Sequence, residues 1–306
     1  MRVFFAARAG LWDAWAPALR AACPEIELMR DGDPAGFDAL LYAPGYPEDG
    51  HEMDFAPFTR ARLVQSLWAG VERIVGNPTL TQPLCRMVDP GLARGMTEYC
   101  TGWAMRAHLG MDAYPQNGEW RHDIVPPLAS GRGVTILGMG ELGRSCAAAL
   151  TGLGFRVTGW SLSGRPVPGV TTLPGAELDR ALARAEILIC LLPDTERTRN
   201  LLNAETLAQL PKGATLINAG RGTLIDEAAL IAALDRGRPA RAVLDVFRQE
   251  PLPPGHPFWS HPGVTVTPHI AAETRPATAA PVAAENLRRA MRGAPLLHLV
   301  DRARGY

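Results

Sequence analysis

Short apolar runs alternate with amphipathic stretches along the whole chain. In the first hundred residues the apolar runs are Val3–Ala6, Ile26–Met29, Ala39–Ala43, Val64–Leu67 and Leu84–Val88. Turn-forming clusters such as Asp31-Gly32-Asp33-Pro34 and Ala43-Pro44-Gly45 separate them, so the pattern predicts the strands of a small parallel sheet. From Gly91 to about Tyr114 the period becomes helical, with Met96, Tyr99, Cys100, Trp103, Ala107 and Leu109 as an apolar stripe. A polar, proline-containing link runs from Gln116 to Gly133. Strict strand–helix alternation follows. Strands are predicted at Val134–Gly138, Arg156–Trp160, Ile187–Leu192, Thr215–Asn218, Ala242–Val246 and Val264–Thr267. Helices are predicted near Leu142–Leu153, Glu177–Ala183, Ala204–Gln209 and Glu227–Arg236, with a last one from Thr274 to about Arg292. Near-continuous apolar strands separated by helices need a parallel sheet covered on both faces, and right-handed crossovers make it doubly wound.

Length and charge narrow the picture. A chain of 306 residues suits two domains of roughly 100–200 residues each. Basic and acidic residues balance at 31 each, which gives no electrostatic pull toward nucleic acid or an anionic membrane surface. The 5 cysteines (Cys23, Cys85, Cys100, Cys146 and Cys190) are scattered without a C-x-x-C pair, and the 7 histidines lack H-E-x-x-H spacing. Neither a disulfide framework nor a metal site is suggested. No run approaches the ~20 apolar residues of a membrane span, and the first apolar run is too short for a secretion signal. The expected location is the cytoplasm.

The first chemical motif is Gly138-Met139-Gly140-Glu141-Leu142-Gly143, a G-x-G-x-x-G that ends a predicted strand and opens a predicted helix. That context predicts a dinucleotide cradle. Gly138 permits the tight turn, Gly140 lets the backbone approach a pyrophosphate, and Gly143 lets helix and strand pack closely. The N–H groups of Glu141 and Leu142 point at phosphates, with the helix dipole in support. A carboxylate about 20 residues further on ordinarily bonds the ribose 2′-hydroxyl. The segment Trp160-Ser161-Leu162-Ser163-Gly164-Arg165 has none. Ser161, Ser163 and Arg165 suit a 2′-phosphate better, so NADP is the expected cofactor and NAD the alternative. Leu192, Pro193 and Ala219, at later strand ends, are placed on the cofactor side.

Three further strand ends carry reactive groups. In Asn218-Ala219-Gly220-Arg221-Gly222, Arg221 offers a planar fork for a carboxylate and a neighbouring ketone oxygen. In Asp245-Val246-Phe247-Arg248-Gln249-Glu250-Pro251, Glu250 sits on a proline-stiffened loop, and Asp245 is ranked as a structural or nicotinamide-side contact. In Val266-Thr267-Pro268-His269, a strand delivers His269 to the sheet edge where open α/β sheets bind ligands. A carboxylate beside an imidazole favours its charged form, which can serve as a general acid. Together these groups predict reduction of a 2-keto acid, with Arg221 as clamp, His269 as proton donor and Glu250 as its support.

These motifs resemble the D-isomer-specific 2-hydroxyacid dehydrogenases over essentially the whole chain. Within that family they are most similar to the glyoxylate/hydroxypyruvate reductase A group. The resemblance implies the same roles for Arg221, Glu250 and His269. It implies two domains, Rossmann- and flavodoxin-like, with a cleft between them: residues 1–98 with 274–306 for the substrate and 99–273 for the dinucleotide. It also implies a homodimer. Leu67-Trp68-Ala69-Gly70-Val71-Glu72 matches the substrate-domain loop whose amides take the carboxylate, which makes Trp68, Ala69 and Gly70 substrate-binding residues. Family members ordinarily carry glycine and aspartate where Trp68 and Glu72 stand. The group also has more basic residues after the second cofactor strand. The closing Asp301-Arg302-Ala303-Arg304-Gly305-Tyr306 is similar to that group's C-terminus. Phosphoglycerate or erythronate-phosphate dehydrogenases are the neighbouring reading, and they need a further basic site for the substrate phosphate. A dinucleotide sensor without chemistry is the third, and the trio Arg221, Glu250 and His269 speaks against it.

Overall fold

The structure is a computed structural model that describes residues 1–114, 118, 120, 122–123, 125–303 and 305. Residues 116, 117, 119, 121 and 124 of the expected link, and Arg304 and Tyr306 of the closing segment, lie outside the described residues. The chain divides into two compact units, Met1–Leu92 with Glu273–Tyr306, and Ala93–Ala272.

The first unit starts with β1 (Arg2–Ala6), α1 (Ala9–Ala22), β2 (Glu27–Met29), β3 (Ala39–Tyr42), β4 (Val64–Ser66) and β5 (Leu84–Cys85). Its strands form a parallel sheet in the order β2-β1-β3-β4-β5, the flavodoxin-like arrangement. Alternation along β1 shows why the sheet is buried on both faces. Val3 and Phe5 join a core with Trp15 and Leu19 of α1, whereas Phe4 and Ala6 join another with Phe37, Leu40 and Phe55. The sequence pattern does not bound helix α1, because Pro17 interrupts it, yet Trp15, Ala16 and Leu19 still form a buried face.

Helix α2 (Pro90–Leu109) leads into the second unit and stops short of the expected Tyr114. Gly110 takes a left-handed φ of 61°, and a 3-10 turn at Met111–Ala113 follows. The second unit continues with β6 (Gly133–Leu137), α3 (Glu141–Gly152), β7 (Arg156–Trp160), β8 (Thr171–Leu173), α4 (Leu178–Leu182), β9 (Ile187–Cys190), α5 (Ala204–Leu207), β10 (Thr215–Asn218), α6 (Glu227–Asp235), β11 (Arg241–Leu244) and β12 (Val264–Val266). Its parallel sheet runs β12-β11-β10-β9-β6-β7-β8, a Rossmann-type order. Strand β8 was not anticipated. It is a three-residue edge strand with one buried side chain, Leu173, so its apolar signal is faint. The strand order reverses between β6 and β9, and open sheets of this kind bind ligands beyond the carboxyl ends at that point.

Helix α7 (Pro276–Arg292) returns to the first unit, where Ala279, Ala280, Ala283, Ala284 and Leu287 complete the core shared with α1. A polar pair, Asn286 and Gln65, is sealed into this layer. Asn286, fully buried, donates through Nδ2 to Gln65 Oε1 at 2.7 Å and to Leu297 O at 3.0 Å, and accepts from Leu297 N at 2.8 Å. The closing residues are tied down too. Val300 N donates to Leu84 O at 2.8 Å, and the Arg302 guanidinium donates to the carbonyls of Val75, Asn77 and Leu80. Replacing Asn286 by alanine leaves a buried Gln65 oxygen and both main-chain groups of Leu297 without their partner. Asn286→Ala is expected to lower stability by about 2–3 kcal/mol in urea unfolding followed by tryptophan fluorescence. A loss below about 1 kcal/mol would mean that this network is not a principal fastening of α7.

Candidate active site

The dinucleotide turn is shaped by three glycines with three different needs. Gly138 has φ +106°, and a Cβ there would lie 2.8 Å from Leu191 O. A Cβ on Gly143 would lie 1.8 Å from Gly138 O, so strand and helix can approach this closely only without a side chain. Gly140 is different: a Cβ there would meet nothing within 4 Å. Its missing side chain therefore serves space outside the protein. Helix α3 opens here. The N–H groups of Glu141 and Leu142 donate to no acceptor among the described residues, which leaves the positive end of the helix open. The Glu141 carboxylate pairs with Arg144 on the exposed face.

At the end of β7, Ser161 N donates to Leu173 O at 3.2 Å, and Gly164 (φ +56°) folds the loop against Pro174. Ser163 and Arg165 are exposed. The Arg165 guanidinium has no hydrogen-bond or ion-pair partner among the described residues. Leu192 is buried and Pro193 half-buried at the end of β9, where Pro193 O accepts from Thr198 Oγ1 at 2.6 Å. Ala219 is buried after β10.

The loop after β10 is shaped by a residue whose role the sequence alone does not reveal. Asn218, fully buried, accepts from Gly220 N at 3.1 Å and donates to Arg221 O at 3.0 Å. It holds the chain open in the turn that presents Arg221, whose Nη1 donates to Gly220 O at 2.7 Å. Gly222 then passes so close to the next loop that a Cβ would fall 2.0 Å from the Phe247 carbonyl carbon.

Beyond β11 the Asp245 carboxylate, 1% exposed, accepts from Thr267 Oγ1 at 2.6 Å, Ile270 N at 2.9 Å and Ala271 N at 2.9 Å. Its main-chain oxygen accepts from His269 N at 2.9 Å. These bonds hold His269 in the left-handed region at φ +56°, a conformation costing on the order of 1 kcal/mol for a residue with a Cβ. His269 Nδ1 meets Glu250 Oε2 at 2.8 Å, and Glu250 Oε1 accepts from Phe247 N at 2.9 Å. The hydrogen bond to Glu250 raises the His269 imidazolium above its ordinary range against the pull of burial. The charges of Glu250 and Asp245 help, and that of Arg221 opposes. Burial pushes the Glu250 carboxyl up, but the bonds from His269 and Phe247 N and the charges of His269 and Arg221 outweigh it, leaving it below the usual carboxylate range. Arg221, Glu250 and His269 thus act on one another within the second unit. Tyr99 and Thr267 are supporting groups the sequence did not single out: Tyr99 OH lies 2.7 Å from Thr267 Oγ1.

In the first unit, Trp68, Ala69 and Gly70 follow β4. Trp68 N donates to Ser66 Oγ at 3.1 Å and Trp68 O accepts from Met87 N at 3.1 Å, which pins the turn at its first residue. The N–H groups of Ala69 and Gly70 have no acceptor among the described residues. The Trp68 side chain is 41% exposed. Glu72, just beyond, lines a cavity of about 750 Å³ shared with Arg8, Tyr42, Tyr46, Glu52 and Arg73.

Residues 103–271 match the family model of the D-isomer specific 2-hydroxyacid dehydrogenase NAD binding domain. The glyoxylate/hydroxypyruvate reductase A of Serratia proteamaculans (strain 568) is 38% identical over 309 residues, covering 96% of each chain. A D-isomer specific 2-hydroxyacid dehydrogenase from Xanthobacter autotrophicus Py2, solved with NADPH and MES, aligns with a TM-score of 0.91 at 37% identity over 100% of this chain and 99% of that one. The NADPH-dependent glyoxylate/hydroxypyruvate reductase of Sinorhizobium meliloti, solved with NADP and sulfate, aligns at 0.89 with 34% identity over the same shares. The motifs, both parallel sheets and these likenesses agree: the chain belongs to the D-isomer specific 2-hydroxyacid dehydrogenase family.

Proposed function

We propose that the protein reduces a small 2-keto acid, glyoxylate or hydroxypyruvate, with NADPH as its preferred reductant and NADH as the weaker alternative. The carrying observation is the His269–Glu250 pair, an imidazole whose hold on its proton a carboxylate strengthens, at the carboxyl edge of a dinucleotide-type sheet, with the Arg221 charge acting on both partners. The names of the Serratia and Sinorhizobium relatives, and the NADPH and NADP in the two solved structures, support the substrate and cofactor.

The residues present fit the dinucleotide. Gly140 leaves clear space in front of the turn, the N–H groups of Glu141 and Leu142 are open to a pyrophosphate, and Arg165 has no partner among the described residues to give up. Ser161 and Ser163 flank the place of a 2′-phosphate; Leu192, Pro193, Ala219 and Asp245 belong to the nicotinamide side. When bound, the reduced nicotinamide supplies the hydride. Arg221 holds the substrate carboxylate and stabilises charge developing on the ketone oxygen. With Nδ1 committed to Glu250, His269 offers its transferable proton at Nε2. In the first unit, the N–H groups of Ala69 and Gly70 are the proposed further donors to the carboxylate, and Trp68 beside them favours a small substrate. Residues 1–98 with 274–306 are the proposed substrate domain and 99–273 the dinucleotide domain. A homodimer is the proposed assembly; Met111, Trp120, Val125 and Leu128, which are 52, 85, 79 and 81% exposed, are apolar side chains that a second copy could cover.

A steady-state screen of glyoxylate, hydroxypyruvate, pyruvate and oxaloacetate with both cofactors tests the assignment, and no turnover on any of them would overturn it. His269→Ala is expected to lower kcat by roughly 10²–10⁴-fold. Arg221→Ala should raise KM for the keto acid roughly tenfold to a hundredfold, with only a weak loss of folding stability in both variants.

The rate of reduction depends on the protonated imidazole, so it holds through the ordinary histidine range and falls as pH rises through the raised His269 value. Glu250→Gln removes the largest raising cause while burial and the Arg221 charge remain, so the fall must move to lower pH. A pH profile of kcat/KM for the two enzymes checks this, and an unmoved basic limb would remove Glu250 from the role.

Arg165→Ala is expected to raise KM for NADPH about tenfold and leave that for NADH within about twofold. Equal effects on the two cofactors would reject the 2′-phosphate contact.

A further inference from the structure

Arg248 has no part in the assignments above, yet its side chain joins the loops that carry them. It lies between Asp245 and Glu250 on the loop after β11. Its Nε donates to Ile225 O at 3.0 Å, and its Nη2 donates to Ile225 O at 2.6 Å and Thr223 O at 3.4 Å. Those carbonyls belong to the loop after β10, just beyond Arg221. The same Nη2 donates to Asn200 Oδ1, on the loop after β9. Asn200 is held in turn by its own N–H, which donates to Thr223 O at 2.9 Å, and it takes a left-handed φ of 53°. No carboxylate pairs with Arg248 among the described residues, so its donors serve two main-chain carbonyls and one amide. The arrangement uses the shape of the guanidinium, a planar fork with donors on several edges, rather than charge pairing.

What the fork holds together is the distance between the proposed substrate clamp and the proposed proton donor. On one side of the junction Arg221 precedes Gly222, whose Cα faces the Phe247 main chain so closely that a Cβ would lie 2.0 Å from it. On the other side Phe247 N donates to Glu250, and Glu250 bonds His269. That contact between Gly222 and Phe247 is van der Waals packing without a bond of its own. Arg248, next to Phe247, supplies the bonds that keep the two loops pressed together.

We propose that Arg248 is a positioning residue that sets the spacing between Arg221 and the Glu250–His269 pair by clasping the loops after β9, β10 and β11. The proposal rests on the assignment of Arg221 and His269 made above. Releasing the clasp loosens the clamp relative to the proton donor and also weakens the hold of Phe247 N on Glu250. Small displacements of this kind are felt strongly in catalysis, where a misplacement of about 1 Å can cost up to a hundredfold.

The test compares the full-length wild type with Arg248→Met, which keeps bulk and removes every donor, and with Arg248→Lys, which restores one donor group. Keto-acid KM, kcat and the pH profile of kcat/KM are measured beside NADPH affinity by fluorescence titration. Arg248→Met is expected to raise KM roughly tenfold and to move the basic limb to lower pH, with Arg248→Lys between it and the wild type. NADPH affinity should stay within about twofold, because the Gly138–Gly143 turn takes no part in the clasp. A fall in kcat with unchanged KM and pH profile is what a merely structural residue would give, and it overturns the proposal. So does wild-type behaviour of Arg248→Met. If Arg248→Met does not fold, Asn200→Gly removes one acceptor at a backbone angle glycine adopts freely, and KM must rise in the same direction; an unchanged KM overturns the clasp. Arg221→Ala and His269→Ala separate the two levels of the argument. Full turnover in both removes the underlying site, whereas loss in both beside a normal Arg248→Met removes only the clasp.

Discussion

The arrangement of the second unit's reactive edge hangs on one sealed carboxylate. Asp245 is out of contact with water, and a carboxylate in that position is tolerated only when donors surround it. Three donors do, and they come from the strand end and loop that present His269. Thr267 gives its single hydroxyl hydrogen to Asp245, so the bond between Tyr99 and Thr267 must be donated by the tyrosine. The tie therefore reaches from β11 across the β12 end to α2. His269 stands in a backbone conformation that a histidine seldom adopts because these bonds leave it little choice.

Electrostatics at the edge is a contest with a clear outcome. Glu250 and Asp245 favour a charged imidazole, while burial and Arg221 oppose it, and the carboxylates prevail. The opposing guanidinium is the group proposed to receive the substrate's negative charge. A bound carboxylate would offset part of the Arg221 charge and so strengthen the hold of His269 on its proton while substrate is in place. Binding and proton loading would thereby favour each other without any moving part.

The sequence was most legible where one structural demand dominates a position. Strands buried on both faces, such as Ile187–Cys190, leave unbroken apolar runs that composition cannot disguise. The glycine turn was legible because a strand and a helix bracket it, and the close approach of Gly143 to Gly138 explains the spacing. What escaped detection depends on neighbours distant in the chain. Strand β8 buries one side chain at a sheet edge, and α1 carries a proline within its pattern. Tyr99 reads as one more apolar position on a helix, although its hydroxyl completes a polar relay. Arg248 acts on main-chain carbonyls of a loop more than twenty residues away, and nothing in its local sequence reveals which ones the fold will bring to it.

The first unit is assembled from the two ends of the chain, and this orders its birth. Its inner layer needs Ala279, Ala283 and Leu287 of α7 against Trp15 and Leu19 of α1. During synthesis those late residues leave the ribosome only after the whole of Ala93–Ala272 has emerged. The second unit, contiguous in sequence, can close its core while the inner layer of the first still lacks its α7 side chains. The newborn amino-terminal sheet must wait with an uncovered apolar face, so the nascent chain is most open to chaperone capture or aggregation in the interval before its last helix arrives.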